Sequence, residues 1–597
     1  MDAKIQNIND IFKNSTVFRI PFFQRQYVWK EEQWERFADD MEAIDDEKDY
    51  FLGALIFKEE KRIEEDAKNK ISKKYTVIDG QQRLTTLSIY LKALLSKYKD
   101  DYEQNDFDTN FYIRNGKQRI PVLHHSVNDY KAYQAVMLDP DNLDCYNDKK
   151  VVEAYYFFRD KLNDKNQELL GKIYTNIKNN VKFVEITLNE HDDEQQIFDT
   201  INSLGVDLTI DELMKNFLYD STHETAYRKN WEPLFDENKN RKFWQESDAK
   251  SRQAKSDKNK VITNFFYYFV RIKMWDFKDE KGFNKNSFVQ KSQIFSTCKA
   301  FKELFETDKQ DLANEIIEYA KLYKEYFDKK LLDNRIRKES GIDRVACIAM
   351  AKDTTIIPYL LYVLKNVDSV DEKNKIFDFL ENYLVRRMVS LSSDDNKMST
   401  ELFAEQLIAK RIDTYEHLKN HILGIDSTKS MHFPTDQEIA DKIHNNEFKS
   451  ESIPRLIYYL LETKLEYRGT GGYNYFIAEY IMPIQSEESD KNYPPCEDKE
   501  DEMKRQKNIN TLGNFILLGR PSISETNSQE KLARMDSELK SATNKKPQEK
   551  VNVLKNYIKT VRCSNWFSNF TNWTEENIKN RNSMFAQLIS KQWAYPK

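Results

Sequence analysis

The pattern of apolar and polar positions predicts a mixed α/β region at the start of the chain. Three apolar runs have the length of strands: FLGALIF (51–57), KYTVI (74–78) and VKFVEITL (181–188). After the second run, leucines recur every three or four residues, as they do on one face of a helix: Leu84, Leu87, Leu91 and Leu94. We therefore expect an α/β domain over residues 1–225.

A helix–turn–helix pattern closes this region at residues 192–220, DDEQQIFDTINSLGVDLTIDELMKNFLYD. Gly205 stands where the first helix should end, because glycine readily takes the left-handed conformation of a helix C-terminus. Thr209 and Glu212 have the spacing of a capping box, which predicts the start of the second helix.

The remainder of the chain is predicted to hold two further domains. Residues 226–430 contain long apolar segments without strand punctuation, such as ITNFFYYFVRIKMW (262–275), and should form a helical linker domain. Residues 431–597 differ from them by a glycine-rich stretch, RGTGGYNYF (468–476). The expected fold class is therefore α+β and multidomain.

Composition narrows the class of protein. No run of the 597 residues approaches the roughly 20 apolar residues of a membrane span, and the first residues lack the regions of a signal peptide. We therefore expect a cytoplasmic protein with no membrane partner. Five scattered cysteines without CxxC spacing argue against a disulfide framework or a zinc site. With a net charge of −6, any DNA-binding surface must be a local basic patch.

The stretch YTVIDGQQRLTTL (75–87) carries the first candidate chemistry. An apolar run ends at Asp79 and a helical pattern follows Gly80, so unpaired N–H groups and the helix dipole favour an anion there. Arg83 could hold a phosphate with two donors, and Asp79 could hold a metal ion or orient a water molecule. The alternative is a plain turn followed by a surface arginine.

A second polar cluster interrupts the aromatic segment IPFFQRQYVW (20–29). Gln24 and Arg25 precede Tyr27 there, and a buried arginine needs an anionic partner. The alternative is the edge of an aromatic core with a satisfied arginine.

Four blocks resemble, in their order, the N-terminal domain of the GmrSD family of type IV antiphage restriction proteins: IPFFQRQYVW, YFLGALIF, YTVIDGQQRLTTL and IFDTINSLGVDLTIDELMKNFL. The resemblance implies a ParB/sulfiredoxin-like fold that hydrolyses a nucleoside triphosphate. It implies that hydrolysis is catalysed by Asp79, Gln82 and Arg83, with Asp79 also a candidate metal ligand. It further implies that the nucleotide is bound by Gln24, Arg25, Tyr27, Gly80, Gln81, Asn202 and Lys215, of which the last two share their block with Gly205.

The C-terminal section resembles the HNH nuclease domain of the same family, through RLIYYLLETKLEYR, YFIAEYIMPIQ, NTLGNFILL and TNSQEKL. That domain carries a Glu-His-Ile-x-Pro block, whose histidine is the general base. Here Tyr480 takes the place of the histidine, and none of the eight histidines lies between residues 445 and 597. Asn514 and Asn527 match later positions of the ββα-metal site, and the resemblance implies that Asn527 is a metal ligand.

Tyrosine is a poor general base at neutral pH, since its pKa is near 10. We therefore interpret residues 431–597 as a degenerate HNH-like domain whose remaining site residues are Tyr480, Asn514 and Asn527. Three explanations of Tyr480 stay open: a natural loss, an introduced inactivating change, or an unusual chemistry that uses Tyr480 together with Glu479.

The leading hypothesis is an antiphage protein in which binding and hydrolysis of a nucleoside triphosphate, with Mg or Mn, gate the restriction of foreign, modified DNA. The alternative is a nuclease-inactive sensor or DNA-recognition subunit that acts with a homologous, nuclease-competent partner. Assembly into a homo-oligomer is compatible with either hypothesis. A scaffold without nucleotide affinity is a third hypothesis, against which the two polar clusters argue.

Overall fold

The structure is a computed structural model that divides into two compact units. Unit 1 consists of Met1–Thr263 and Thr307–Ala313, and unit 2 of Asn264–Glu306 and Asn314–Lys597. The described residues are 2–13, 15–45, 48–60, 71–115, 118–125, 127–189, 192, 209–219, 223–247, 260–280, 293–305, 307–334, 336, 341–390, 397–429, 431–445, 447–448, 450–465, 471–482, 498–519, 537 and 573–596. The finer division into domains at residues 225 and 430 stays a prediction.

A six-stranded mixed sheet forms the centre of unit 1, in the order β1-β8-β3-β4-β2-β7. Strands β3 and β8 pair in parallel, as do β2 and β4, whereas β3 and β4 are antiparallel. A separate pair, β5 and β6, is antiparallel. The strands are β1 (Asp2–Asn7), β2 (Thr16–Arg19), β3 (Tyr50–Glu59), β4 (Lys73–Asp79), β5 (Tyr112–Asn115), β6 (Gln118–Pro121), β7 (Leu123–His124) and β8 (Val181–Leu188).

Helices pack against this sheet and enclose the main core of unit 1. Leu55 and Val77 of the sheet and Leu87 of α3 are fully buried in that core. A π-helix, Tyr227–Asp236, lies between α9 and α10. The helices are α1 (Ile8–Ile11), α2 (Glu31–Glu42), α3 (Gln81–Lys97), α4 (Asp101–Phe111), α5 (Val127–Leu138), α6 (Lys150–Lys161), α7 (Gln167–Asn180), α8 (Ile210–Leu218), α9 (Glu224–Ala226) and α10 (Asn238–Gln245).

The apolar runs of the sequence become the central strands of the sheet. Strands β3, β4 and β8 coincide with the three predicted runs, and α3 confirms the helix that the leucine spacing predicts. Helix α8 begins at Ile210, and Thr209 is its N-cap in the predicted capping box, in which the side chain of Glu212 accepts from the backbone N–H of Thr209 at 3.0 Å. The helix predicted before it, with Gly205, lies outside the described residues.

The described part of unit 2 is mostly helical, as predicted for the middle of the chain. Its strands, β9 (Phe476–Tyr480) and β10 (Phe515–Gly519), pair antiparallel. From residue 261 onward the helices are α11 (Val261–Lys273), α12 (Ile294–Phe305), α13 (Lys309–Tyr326), α14 (Lys330–Asp333), α15 (Gly341–Ala351), α16 (Ile357–Asn366), α17 (Val370–Ser390), α18 (Lys397–Ala409), α19 (Tyr415–Leu423), α20 (Asp436–Asn445), α21 (Ser452–Lys464), α22 (Lys499–Ile509) and α23 (Glu575–Gln592).

Buried ion pairs connect the helices of unit 2. The carboxylate of Glu381 on α17 is fully buried and accepts hydrogen bonds from Arg344 on α15, at 2.6 Å, and from the indole of Trp593, at 2.7 Å. Because both carboxylate oxygens have partners, the burial of this charge is compensated. The α+β, multidomain fold class is confirmed. Among the described helices, none is long and apolar enough to cross a bilayer.

Candidate functional site

The junction between β4 and α3 requires a glycine. Gly80 is the N-cap of α3 and has φ of +99°, in the left-handed region that only glycine adopts without strain. A Cβ atom at Gly80 would also collide with the side chain of Leu55 on β3. Because a glycine cap has no side chain, the first N–H groups of α3 keep a partial positive charge at the end of the strand.

Asp79 and Arg83 form an ion pair across this junction. The Nη2 atom of Arg83 donates to Oδ2 of Asp79 at 2.8 Å, and the two side chains are 25% and 32% exposed. The guanidinium lies against Gly53, where β3 bulges and Gly53 has φ of +126°; a Cβ there would collide with Nη1 of Arg83. Part of the guanidinium therefore remains accessible to a ligand.

Gln24 and Gln82 use their side chains to hold the segment that contains Arg25. Nε2 of Gln24 donates to the carbonyl oxygens of Val77, at 2.6 Å, and Ile78, at 3.1 Å, on β4. Gln82 donates to the carbonyl of Gln26, at 3.1 Å, and accepts from the N–H of Val28, at 3.0 Å. The two glutamines therefore attach residues 24–28 to the sheet and to α3.

Tyr27 is buried in the core of unit 1. Its hydroxyl is hydrogen-bonded to Thr86, at 2.7 Å, and accepts from the indole of Trp34, at 2.9 Å. Its backbone N–H donates to the buried carboxylate of Asp129 at 2.6 Å. Burial raises the pKa of the Tyr27 phenol. In the described part of the chain, Tyr27 therefore packs in the core and its polar atoms bond to other core residues.

Arg25 and Lys215 line a cleft that does not include residues 79–83. Lys215 on α8 is paired with Asp236, at 3.4 Å between Nζ and Oδ2, and Asp236 also accepts from the hydroxyl of Tyr227 at 2.6 Å. Burial and the charge of Asp236 raise the pKa of Tyr227. The complete lining is Phe22, Gln24, Arg25, Gln26, Asp211, Glu212, Lys215, Tyr227, Glu232, Asp236 and Arg241.

The predicted nucleotide site is therefore divided into two neighbouring groups. Gln24 lines the cleft and bonds to the end of β4, one residue before Asp79, so it separates the cleft from the loop that contains Arg83. Gln81 begins α3 and is partly exposed. Asn202 lies outside the described residues. Arg241, Asp211 and Glu232 are cleft residues that the sequence patterns did not reveal, because their charges resemble those of ordinary solvent-facing helices.

Tyr480 lies at the end of β9 in unit 2, where it is half-buried against the ring of Phe515 with 4.3 Å between the centroids. Its hydroxyl makes a long hydrogen bond, 3.4 Å, to the carbonyl of Phe448. Burial, with the charges of Glu451 and Glu479, raises the pKa of Tyr480 to about 12. An even smaller fraction of this phenol is therefore ionised at neutral pH than of a free tyrosine, so little phenolate is present to act as a base.

Asn514 is fully buried beside β10 and uses all of its hydrogen-bonding capacity within unit 2. Its Nδ2 atom donates to the carbonyls of Met482, at 2.8 Å, and Ile509, at 2.9 Å. Its Oδ1 atom accepts from the N–H of Met482, at 2.8 Å, and from the indole of Trp573, at 3.1 Å. Asn514 therefore has no donor or acceptor left for a metal or a phosphate. Asn527 lies outside the described residues.

The described residues do not form a metal site. In the part of the chain that the structure describes, no three His, Cys, Asp or Glu side chains are placed so as to share a metal ion. Asp79 is one carboxylate and is already paired with Arg83, whereas a magnesium site needs several oxygen ligands. The predicted metal requirement therefore stays a prediction.

Comparison with known protein families finds a match for an N-terminal segment and for a C-terminal segment of the chain. Residues 8–219 match the family described as GmrSD restriction endonuclease, N-terminal domain. Residues 433–588 match GmrSD restriction endonucleases, C-terminal domain. No curated protein matches the chain. Together the two matched segments cover more than half of the sequence. The chain therefore belongs to the GmrSD family of type IV restriction endonucleases, antiphage nucleases whose substrate is DNA.

Proposed function

We propose that the chain binds and hydrolyses a nucleoside triphosphate through the loop of residues 79–83, and that this event gates the restriction of foreign, modified DNA. The observation that carries the proposal is the Asp79–Arg83 pair, part-exposed beside a helix start without a capping side chain. A phosphate group fits this position because guanidinium and helix N–H donors both bind oxyanions.

The ion pair suggests how binding prepares the reaction. A phosphate that takes the guanidinium of Arg83 competes with Asp79 for it, so the carboxylate becomes available to orient a water molecule. Water forms the new bond to the terminal phosphorus and gives its proton to the carboxylate of Asp79. The bond from phosphorus to the bridging oxygen breaks, and the nucleoside diphosphate leaves with the electron pair of that bond. The negative charge that develops on the phosphate oxygens faces Arg83 and the N–H groups of α3, which stabilise it.

Gln24 and Gln82 act as positioning residues in this proposal. Their side chains are engaged with the backbone of residues 26–28 and of β4, and these bonds fix Arg25 and the loop relative to each other. Gln82, assigned to catalysis by the resemblance, therefore supports the site without reaching the phosphate itself.

Two variants test the proposed hydrolase. Arg83→Gln and Asp79→Asn should each lower the rate of triphosphate hydrolysis by about 100-fold or more, since each removes a charge that acts on the reacting phosphate or water. Arg159→Gln is the matched control, because Arg159 forms an exposed ion pair with Asp160 on α6. The measurement is phosphate release by the full chain with magnesium. Wild-type rates in both site variants would contradict the assignment.

A second candidate function is a nuclease-inactive subunit that recognises DNA or nucleotide and acts with a nuclease-competent homologue. The observation in its favour is Tyr480, whose raised pKa and packing against Phe515 are unsuited to a general base. In this alternative the N-terminal domain keeps its nucleotide site, and the partner supplies the DNA cleavage.

A further inference from the structure

One buried arginine on α17 holds the chain on both sides of the C-terminal family match, residues 433–588. Arg386 is fully buried, and its Nε atom donates to the carbonyl of Pro434 at 2.7 Å. Its Nη1 atom donates to the carbonyl of Trp593 at 2.6 Å, and its Nη2 atom to the carboxylate of Asp436 at 2.7 Å. All three guanidinium nitrogens are therefore used to hold the two ends of the matched segment against α17.

The residues that follow α23 make further bonds to the same helix. The indole N–H of Trp593 donates to the buried carboxylate of Glu381 at 2.7 Å. Nδ2 of Asn382 donates to the carbonyl of Ala594 at 2.7 Å. Separating Trp593 from Glu381 would remove a donor from a buried charge and leave the buried indole N–H without its acceptor, so this contact is costly to open.

An earlier part of α23 holds the start of β10. Oδ1 of Asn582 accepts from the N–H of Gly513 at 2.6 Å, and its Nδ2 atom donates to the hydroxyl of Thr511 at 2.9 Å. Nη1 of Arg581 donates to the carbonyls of Gly513, at 2.9 Å, and Phe515, at 2.6 Å. Because these bonds go to backbone groups on both sides of Gly513, they fix the path of the chain into the strand.

The same stretch of chain is bonded to the end of β9. A Cβ atom at Gly513 would lie 2.5 Å from a backbone carbonyl of α23, so only glycine allows this close approach. Asn514 bonds to the backbone of Met482, and Phe515 is paired with Tyr480 across the two strands. The position of α23 therefore determines where the end of β9 lies.

We propose that α23 is a brace that positions the strand pair β9–β10 for action on DNA. Arg386 and Glu381 anchor it to α17 at Trp593, and Arg581 and Asn582 are its positioning residues at the strands. The two sets of bonds are separated by about 16 Å along the helix, at 1.5 Å per residue. The inference concerns the action of the family on DNA and does not depend on hydrolysis of a triphosphate.

The test measures backbone amide hydrogen exchange in the full chain, by mass spectrometry of peptides that cover β9 and β10. Trp593→Phe removes the donor to Glu381, and Arg386→Lys keeps the charge but loses the three-way hydrogen bonding. Each should raise the exchange rate of the strand pair at least about tenfold, because a helix released at one end opens more often at the other. Asn582→Ala, which removes the bonds at the strands directly, should have the same effect.

Two control variants separate the brace from general destabilisation. Ile376→Val removes one methylene from a fully buried side chain of α17, five residues before Glu381. Lys591→Gln changes an exposed charge on α23 beside the anchor. Neither should change the exchange of the strand pair, and a thermal unfolding curve for each variant shows that the fold is kept.

Nicking of supercoiled DNA is the second measurement. Trp593→Phe and Asn582→Ala should lower the rate at saturating DNA more than they raise the DNA concentration needed for half of that rate, because the brace acts on the geometry of the site. Exchange decides the inference, since it requires no cleavage. Wild-type exchange of the strand pair in both Trp593→Phe and Arg386→Lys would overturn the brace, and so would an equal rise in Ile376→Val.

Discussion

At the scale of single residues, the amide side chains of the predicted sites mostly form hydrogen bonds that stabilise the nearby backbone. Gln82 and Asn514 both occur in motifs, and both use their carboxamides on neighbouring chain: Gln82 donates one hydrogen bond and accepts one, whereas Asn514 donates two and accepts two. A sequence gives the identity of such a residue but not the direction of its side chain. The direction depends on which backbone groups would otherwise be left buried without a partner.

Asn514→Ala should destabilise unit 2 by about 2–4 kcal/mol, because it leaves the polar groups of Met482, Ile509 and Trp573 buried without their partner. The measurement is urea-induced unfolding followed by tryptophan fluorescence, with Asn445→Ala as the control on an exposed helix end. An unfolding midpoint equal to that of the control would contradict the positioning role of Asn514.

At the scale of elements, the apolar patterns predicted the central strands and α3 because burial determines them locally. The capping box of α8 was predictable for the same reason, since Thr209 and Glu212 are three residues apart. The bulge of β3 at Gly53 was not predictable. The guanidinium of Arg83, which lies against Gly53 at this bulge, comes from an element 30 residues later in the chain.

Gly80→Ala should destabilise unit 1 by about 1–3 kcal/mol, since alanine is strained at φ of +99° and its Cβ would displace Leu55. Because the loop would shift with the start of α3, hydrolysis of the triphosphate should fall as well. Gly424→Ala is the control, since Gly424 has φ of −79°. Circular dichroism melts and phosphate release measure the two effects. A variant with wild-type stability and rate would show that the loop tolerates a side chain.

At the scale of the whole molecule, the family of the chain was predictable from ordered motifs, whereas the cleft was not. Arg25, Asp211 and Arg241 come from three distant segments that only the fold of unit 1 brings together. Asp211 and Arg241 have an ordinary sequence context, whereas Arg25 stood out beside Gln24 in the aromatic segment 20–29, and no spacing rule relates the three residues. Tyr480 is the opposite case. The sequence alone shows that a tyrosine stands in place of the motif histidine, and no structure is needed to recognise this change.

Tyr480→His should increase DNA nicking by about 100-fold or more relative to the Tyr480 chain, because imidazole is a far better general base at neutral pH than this phenol. With a pKa of about 12, only about one phenol in ten thousand is ionised at pH 8. Any nicking that uses the phenolate of Tyr480 should therefore rise about tenfold per pH unit up to pH 12. Supercoiled plasmid with magnesium or manganese provides the assay. Robust, pH-independent cleavage by the Tyr480 chain would contradict the degenerate interpretation.

The carboxamide of Gln24 connects two parts of unit 1. Its Nε2 atom bonds to the end of β4, its Oε1 atom is unpartnered among the described residues, and the residue lines the cleft. A hydrogen bond accepted by Oε1 draws electron density from Nε2, which then donates more strongly to the carbonyls of Val77 and Ile78. A hydrogen-bond donor at Oε1 would thereby tighten the attachment of residues 24–28 to the strand that ends at Asp79.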